Sequence, residues 1–363
     1  MQVSRKLAGS HYFLATTFLC LALSGFLPTS PPSLCGTAES CAGAEAQLSA
    51  AALQLERGSL DESERILTEL QVSHSKCPEV VLGLGRVHAA QGNVLSAQRL
   101  LSLYTVLAPK DARGLYYLGQ FLFSQGDYQR ADTISGQALS LNPEYPDAMI
   151  LRAQVLSMKG EKTEAQRLLE RVCEVASSNA EAHFQLGSLF DRNKRHAEAV
   201  GQFEKVVALN PRDARAYDYL ALNLEPLGQI EKAEAAYKKG LETNEKPFFD
   251  SFLDYNYGRF LLKRNRLVES QRHLDRALEL TPQTRAAHYE HAKLNLRLKK
   301  YPEARLDAER ALSLPDPASF ILDLQVYYLL SSIYTRLGEQ ELARKYVELS
   351  QNTPVPVQAR ERD

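Results

Sequence analysis

The stretch LYYLGQFLFSQGDYQRADTISGQALSLNP, from Leu115 to Pro143, decides the fold of this chain. Its first half has apolar or small residues at three- and four-residue spacing, which is typical of one buried helix face: Leu115, Leu118, Gly119 and Leu122. Gly126-Asp127 interrupts this pattern, because glycine tolerates the backbone angles of a tight turn. A second helical pattern follows and ends at Asn142-Pro143, since the residue before a proline disfavours helix. Small residues, Gly119 and Ala131, stand where the two helices would cross, so the stretch predicts a helical hairpin.

A hairpin of this size cannot bury its apolar face alone, so it needs similar neighbours on both sides. The chain supplies copies with the same pattern of small and apolar residues. Six of them start on an unbroken grid of 34 residues, and three more follow after small insertions. The copies start at Ala44, Pro78, Ala112, Pro146, Ala180, Ala214, Ser251, Arg285 and Leu324.

This period carries small residues at places 8, 20 and 27 of each copy and proline at place 32. It resembles the tetratricopeptide repeat family, with about nine repeats between residues 44 and 350. The resemblance implies an all-α fold, a right-handed superhelical solenoid of antiparallel helix pairs. It also implies that the first helices line a concave groove, into which places 2, 5, 9, 12 and 13 point. Insertions in such arrays map to loops between units.

The N-terminal residues do not fit the repeat. Arg5 and Lys6 precede an apolar run from Tyr12 to Leu27, the arrangement of a secretory signal, and small residues precede a cut after Ala38. The predicted organisation is a signal peptide over residues 1–38, a linker over 39–43, the array over 44–350 and a disordered tail over 351–363. Cleavage is favoured, and an uncleaved membrane anchor is the alternative. We therefore expect export to the periplasm or cell envelope, or secretion.

Two of the five cysteines suggest a link between the first two repeats. Cys41 precedes the first repeat and Cys77 ends it, and these points lie near each other if consecutive repeats are roughly 10 Å apart. A Cys41–Cys77 disulfide is therefore a hypothesis. Cys173 stands at the end of a second helix and is expected to be a small core residue.

Three irregularities interrupt the period. Pro226 falls late in a first helix, which we expect to end before Gly228. The segments Glu245–Asp250 and Ser313–Asp323 add three and five residues. Both contain proline and phenylalanine, and they are read either as functional loops or as longer helix starts.

The sequence contains no pattern that favours catalysis, so no enzyme activity, cofactor or metal is expected. His288 and His291 share a helix face, but zinc would need further ligands that the sequence does not provide. The formal net charge of −1 argues against an obligatory nucleic-acid partner, because that binding rests on a basic excess.

The places that the resemblance directs into the groove hold tyrosines and cations in the last three repeats. Tyrosine and arginine are enriched among residues that carry interface energy. We expect this face to bind an extended, acidic or carboxylate-bearing segment of another protein. The alternative is that place 5 is partly core and that the cations only keep the surface soluble. The candidates are Tyr255, Tyr289 and Tyr328 at place 5, Arg259 and Lys293 at place 9, and Lys263, Arg297 and Arg336 at place 13.

Three functional classes remain open from the sequence. The favoured one is a non-catalytic scaffold of the cell envelope with protein partners. The second is an envelope assembly or polysaccharide export component that binds glycan, because tyrosine columns also stack on sugar rings. The third is a regulatory subunit of an enzyme complex. A membrane is expected as a partner only through an uncleaved N-terminus.

Overall fold

The computed structural model of the chain describes residues 41–244, 252–316 and 321–354, all of which form helices, turns and short connections. The described residues fall into two compact units, 41–195 and 196–354. The predicted signal peptide, most of the predicted tail and Phe248, Phe249 and Phe320 lie outside the described residues. Within the described part, no helix has both the length and the hydropathy needed to cross a bilayer.

The N-terminal unit contains four helical hairpins and one further helix. Its helices are α1 (Glu45–Glu56), α2 (Leu60–Ser73), α3 (Pro78–Ala90), α4 (Val94–Leu107), α5 (Ala112–Ser124), α6 (Tyr128–Leu141), α7 (Pro146–Lys159), α8 (Lys162–Val175) and α9 (Ala180–Arg192). The first helices from α3 to α9 begin 34 residues apart, and each of α3, α5 and α7 packs on the second helix that follows it.

The C-terminal unit has one helix followed by four hairpins. Its helices are α10 (His196–Leu209), α11 (Ala214–Leu224), α12 (Ile230–Thr243), α13 (Leu253–Lys263), α14 (Leu267–Leu280), α15 (Arg285–Arg297), α16 (Tyr301–Ser313), α17 (Asp323–Leu337) and α18 (Gln340–Asn352). Helix α11 ends at Leu224, before Pro226, as predicted. Helix α18 extends two residues into the segment predicted as a tail. The all-α fold of paired helices is confirmed.

The hairpins close where the sequence places small residues. A Cβ atom on Gly258 would lie 2.8 Å from Cγ of Leu274, so α13 and α14 touch too closely there for a larger residue. The Ser270 hydroxyl donates to the Gly258 carbonyl oxygen at 2.8 Å, which satisfies a polar group inside the contact. In the quoted stretch, Ala131 is fully buried, and a Cβ on Gly119 would lie 3.0 Å from Leu151.

The turn inside most hairpins requires a left-handed residue. Gly126 has a φ of 77°, which glycine adopts at no steric cost. At the same place of later repeats, Lys194, Asn265 and Lys299 have φ values of 59°, 59° and 63°. These three turns therefore carry backbone strain that the glycine turns avoid.

A disulfide joins Cys41 to Cys77, with an S–S distance of 2.02 Å. This confirms the pairing hypothesis and ties the chain that enters α1 to the start of α3. Cys173 lies outside the disulfide and is half-buried, so it is only partly the core residue that the sequence predicts, and its Sγ lies 3.4 Å from Nδ1 of His183.

Candidate functional site

The eight candidate residues lie on three consecutive first helices of the C-terminal unit. Helix α13 carries Tyr255, Arg259 and Lys263, α15 carries Tyr289, Lys293 and Arg297, and α17 carries Tyr328 and Arg336. Within each helix these residues follow one another at spacings of four or eight, so they share one side. Helix α15 packs between α13 and α17. We call this surface the first-helix face.

The three tyrosines differ in exposure along the first-helix face. Tyr255 and Tyr289 are half-buried, whereas 57% of Tyr328 is exposed. Burial, with the nearby Glu290 carboxylate, raises the pKa of Tyr289 to about 12 and raises that of Tyr255 as well. The two inner tyrosines therefore belong partly to the packing between first helices, and Tyr328 presents an open ring.

The cations of α13 are held by the largely buried carboxylate of Glu225, the residue that follows the end of α11. Glu225 has only 9% of its side chain exposed and accepts from Arg259 Nη2 at 3.3 Å and from Lys263 Nζ at 3.2 Å. The Tyr237 hydroxyl also donates to Glu225, at 2.7 Å. Burial lowers the pKa of Arg259, but Glu225 and nearby tyrosines outweigh that effect and raise it. Arg259 and Lys263 thus tie α13 to the preceding first helix.

The cations of α15 are also engaged within the protein. Lys293 Nζ donates to both oxygens of Glu290, at 2.9 and 2.8 Å, and lies 5.1 Å from the centroid of the Tyr289 ring. Arg297 Nη1 donates to the Leu262 carbonyl oxygen at 2.7 Å. These bonds fix the orientation of the cations before any ligand arrives.

Arg336 is different, because its guanidinium is exposed and makes no hydrogen bond or ion pair with any residue that the structure describes. It stands two helical turns from Tyr328 on α17. An arginine offers a planar fork of donors that matches a carboxylate, and a nearby open ring adds contact area. The α17 end of the first-helix face can therefore bind a carboxylate from outside the chain.

Sequence reasoning missed the carboxylates that organise this face. Glu225 lies 34 residues before Arg259, and this separation brings a carboxylate at the end of α11 beside a cation of α13, the next first helix. Asn256 likewise donates to the buried Asp218 at 2.7 Å across 38 residues. The signal in the sequence was a carboxylate followed, 34 to 38 residues later, by a cation or an amide donor. Glu290, three residues before Lys293, was a further signal.

The histidine pair of α15 forms a network with aspartates of the neighbouring second helices. His291 Nδ1 lies 2.7 Å from Asp307 on α16, and its Nε2 lies 2.9 Å from Asp275 on α14. His288 Nδ1 lies 3.1 Å from the other Asp307 oxygen, and Asn295 donates to Asp307 at 3.0 Å. No group of three or more metal-ligating side chains with a suitable arrangement occurs in the described residues. The network therefore joins three helices through charged hydrogen bonds.

The electrostatics of this network favour a protonated His291. Burial lowers its pKa, but hydrogen bonds and attraction from Asp307 and Asp275 outweigh burial and raise the pKa above the ordinary value. For Asp307, burial raises the pKa, but the hydrogen bonds from His288, His291 and Asn295 outweigh burial and lower the pKa to about 2. An imidazolium can donate from both nitrogens, so each of the two carboxylates receives a proton donor.

We expect the C-terminal unit to lose stability as the pH rises. A raised histidine pKa contributes stability that is complete below the unfolded value of about 6.5 and is lost as pH rises through the folded pKa. Losing one charged hydrogen-bonded contact costs about 2 kcal/mol. Urea unfolding between pH 5.5 and 8.5, followed by hydrogen exchange in α14 to α16, should show this loss.

His291→Gln should flatten that pH dependence, because the amide does not titrate. His74→Gln, at a histidine without a carboxylate partner in the described part of the chain, is the control and should leave the slope unchanged. Equal slopes in the wild type and His291→Gln would contradict the assignment.

A cavity of about 870 Å³ lies elsewhere in the C-terminal unit, beside α12 and α14. Its lining mixes cations such as Lys238 and Arg272 with carboxylates such as Glu242 and Glu269. It includes none of the eight candidate residues. The mixture of opposite charges gives it no preference for a ligand of one sign.

Comparison with protein families gives matches along most of the described chain. Models described as tetratricopeptide repeat match residues 122–186, residues 82–132 and 255–319, and residues 180–213, 214–247 and 324–351. A search of curated protein sequences finds no significant match to the chain.

Several solved structures resemble the chain at low sequence identity. MamA from Desulfovibrio magneticus RS-1 is 24% identical, with a TM-score of 0.40, over 46% of this chain and 94% of that one. PilW, described as a widely conserved type IV pilus biogenesis factor, is 18% identical with a TM-score of 0.51, over 58% of this chain and 95% of that one. The human IFIT1 dimer with m7Gppp-AAAA is 18% identical with a TM-score of 0.59, over 85% of this chain and 71% of that one. For PilW and IFIT1 the likeness shows the fold alone.

Proposed function

Because the chain belongs to the tetratricopeptide repeat family, we propose that it is a non-catalytic scaffold that holds a partner protein. An extended, acidic segment of the partner binds the first-helix face of the C-terminal unit. The observation that carries this proposal is the pair Tyr328 and Arg336, which are exposed and free of side-chain bonds to the described residues. A partner carboxylate at Arg336 would replace hydration with a bidentate ion pair.

The other four cations also favour an acidic ligand, and they differ in how exposed they are to it. Lys263 has 54% of its side chain exposed and Arg297 is exposed, although each is already bonded to a neighbouring first helix. The Lys263 ammonium and the Arg297 guanidinium each carry several N–H groups, so each can donate to a second acceptor as well. Arg259 and Lys293 are more enclosed and act mainly through the helices that they hold together.

The test replaces Tyr328 and Arg336 together by alanine. Removing the exposed tyrosine and the unpaired arginine of α17 should weaken partner capture about tenfold or more, since tyrosine and arginine are enriched among the interface residues that contribute above 1 kcal/mol. Affinity capture from the native cell extract identifies the partner, whose segment is then titrated against the wild type and the variant. The far-UV circular dichroism should not change, because neither side chain supports the fold.

The matched control is Arg344→Ala, which removes an exposed arginine from the second helix α18. It should bind like the wild type. Replacing Tyr289, Lys293 and Arg297 together is a poorer test, because it would leave the Glu290 carboxylate, 7% exposed, without its cation. Unchanged affinity of the Tyr328 and Arg336 variant would refute the proposed site.

Glycan binding, in an envelope assembly or polysaccharide export component, is the second candidate, favoured by the open ring of Tyr328. An acidic peptide should bind less tightly as salt rises, because exposed charges are screened over about 10 Å at 0.1 M. A sugar stacked on tyrosine should not respond to salt. Titration at two ionic strengths distinguishes the two ligand classes.

We also infer that the protein works outside the cytoplasm, in the periplasm or envelope. The signal-like residues 1–38 support this, and so does the Cys41–Cys77 disulfide, because such bonds are rare in reducing compartments. Cleavage after Ala38 would leave Cys41 in the mature chain. N-terminal sequencing of the protein from fractionated native cells tests the inference, and recovery of the whole chain from the cytosol would contradict it.

A further inference from the structure

The first-helix face has a row of cations at one end and a row of tyrosines at the other. Place 13 holds a cation near the carboxyl end of each of α13, α15 and α17: Lys263, Arg297 and Arg336. The tyrosines of place 5 stand eight residues earlier, about 12 Å along each helix at 1.5 Å per residue. An extended segment that crosses the three helices therefore has cations on one side and rings on the other.

The three place-13 cations keep positive charge after their internal bonds are counted. Lys263 and Arg259 share one carboxylate, that of Glu225, so one of their two charges remains. Arg297 donates to a backbone oxygen, which is neutral. Arg336 has no acceptor among the described residues. Each of the three first helices thus offers a positive charge to an external ligand.

The turns that follow these helices add to this positive charge. Lys299 and Lys300 are exposed and form no ion pair within the described parts of the chain, and Arg264 lies over the Phe260 ring. Two carboxylates beside these turns are bonded to Arg266. Three exposed carboxylates have no cation in the described residues: Glu303, Glu339 and Glu341. With those of place 13, the cations without a carboxylate therefore outnumber the carboxylates without a cation.

Carboxylates lie at the opposite, tyrosine end of the face. Burial raises the pKa of Tyr255, and the carboxylates of Glu290 and Asp316 raise it further. The backbone N–H of Ile321 donates to Asp316 at 2.7 Å and holds it in place. Anionic groups of a ligand are therefore favoured at place 13 and disfavoured at place 5, where aromatic rings suit proline and other apolar side chains.

The distance between the place-13 cations sets the spacing of the carboxylates that can meet them. Neighbouring first helices touch, since Arg297 on α15 donates to the Leu262 oxygen of α13 at 2.7 Å. Packed helices lie about 8 to 10 Å apart, measured between their axes. A polyproline II helix has three residues per turn and rises about 3.1 Å per residue, so every third side chain points the same way at intervals of about 9 Å. One turn of such a ligand matches one first helix.

Other regular conformations match this spacing less directly. In a β-strand, side chains on one face follow one another at about 6.7 Å, which is too short, and the second one along stands about 13 Å away. An α-helix matches only through residues seven apart, at about 10.5 Å. A polyproline II segment also presents its prolines to an aromatic row and is preformed, so it loses little entropy on binding.

We propose that the first-helix face binds a polyproline II segment that carries a carboxylate at every third residue. The three carboxylates meet Lys263, Arg297 and Arg336 in turn, and a second row of ligand side chains, rich in proline, lies on the place-5 tyrosines. This inference rests on the proposed function, because it specifies the sequence pattern and conformation of the acidic segment that binds there.

Proline-rich peptides of equal composition test the spacing. Three end-capped, twelve-residue peptides each contain nine prolines and three glutamates, placed at every second, every third or every fourth position, so conformation and charge stay the same. Titrated against the full-length protein at low salt, the every-third peptide should bind about tenfold more tightly than the other two, because only its three glutamates all face one side. An alanine-based helical peptide with three glutamates seven residues apart should bind no better than the weaker two.

The middle cation identifies the register of the ligand. Arg297→Gln should weaken the every-third peptide as much as replacing its middle glutamate by glutamine does, and the two changes together should cost no more than either alone. The peptide change also tests the register on the unaltered protein. Arg344→Gln, at an exposed arginine of the second helix α18, is the matched control and should keep the tenfold preference. Far-UV circular dichroism establishes that each variant is folded.

The outcomes separate this inference from the proposed function. Equal binding of the three proline peptides, or no binding by any of them, would overturn the spacing; the proposed function stands if Tyr328→Ala with Arg336→Ala still weakens partner capture. Tighter binding of the helical peptide would overturn the conformation. If that double variant captures the partner like the wild type, the proposed function fails, and this inference fails with it.

Discussion

Replacing Arg113 by alanine is expected to destabilise the N-terminal unit by about 3 kcal/mol or more, because two partly buried carboxylates would lose their cation. Arg113 Nη2 donates to Glu79 at 2.8 Å, across the contact between α3 and α5, and to Asp111, the residue that precedes α5, at 2.5 Å. Only 16% of the Glu79 side chain and 27% of Asp111 is exposed, so water can replace the lost bonds only in part.

The buried Tyr104 makes this network more sensitive to the loss. Its hydroxyl donates to Asp111 at 2.8 Å, and burial followed by the Glu79 charge raises its pKa well above the ordinary range. Burial raises the pKa of Asp111, but hydrogen bonds from Arg113 and Tyr104 outweigh burial and keep it low. Without Arg113 the two carboxylates repel each other next to a buried tyrosine that stays neutral because its pKa is raised.

Hydrogen exchange of amides in α3 and α5, combined with urea unfolding, measures the effect because opening is local in a stacked array. Arg130→Ala is the control, since Arg130 is 58% exposed and lies 3.5 Å from Asp127. It should change stability by less than about 0.5 kcal/mol. Similar changes for Arg113→Ala and Arg130→Ala would show that the network does not stabilise the unit.

The fold could be predicted from the sequence because its determinants are local and repeated. A glycine such as Gly126 marks a turn, and small residues such as Gly119 and Ala131 mark a helix crossing, whatever lies elsewhere. The same pattern then recurs at a fixed period. The strained turns at Asn265 and Lys299 show the limit of this argument, because the surrounding hairpin imposes a left-handed residue that their side chains disfavour.

The sequence predicted on which side of its helix each candidate residue lies, but it did not predict the hydrogen bonds that these residues form. The place of Arg259 in its repeat identifies the helix side on which it lies. Its bond to Glu225 depends on the offset between adjacent first helices and on both rotamers. The same holds for Arg297, whose acceptor is a backbone oxygen that no residue type reveals. Arg259 and Arg297 each have an acceptor within the protein, whereas Arg336 has none among the described residues. Only the structure reveals this difference.

The second large effect is expected from removing the Cys41–Cys77 disulfide. The bond closes a loop between residues 36 apart, for which chain entropy predicts about 4 kcal/mol of stabilisation. We expect Cys41→Ala with Cys77→Ala to lose most of that stability in α1 and α2. Alanine is the replacement of choice because both cysteines are buried. Hydrogen exchange in Leu60–Ser73 measures the loss, with α11 to α18 as the internal reference.

The loss should stay local, because a terminal repeat has a neighbour on one side only and depends on fewer contacts than an inner one. Dithiothreitol supplies the control: it should give the wild type the fast exchange of the double variant and leave the variant itself unchanged. Equal exchange in oxidised and reduced wild type would mean that packing of α1 and α2 on α3 suffices without the covalent link. If the link is needed, the first hairpin is stable only where the disulfide can form, which ties folding of this end of the array to an oxidising compartment.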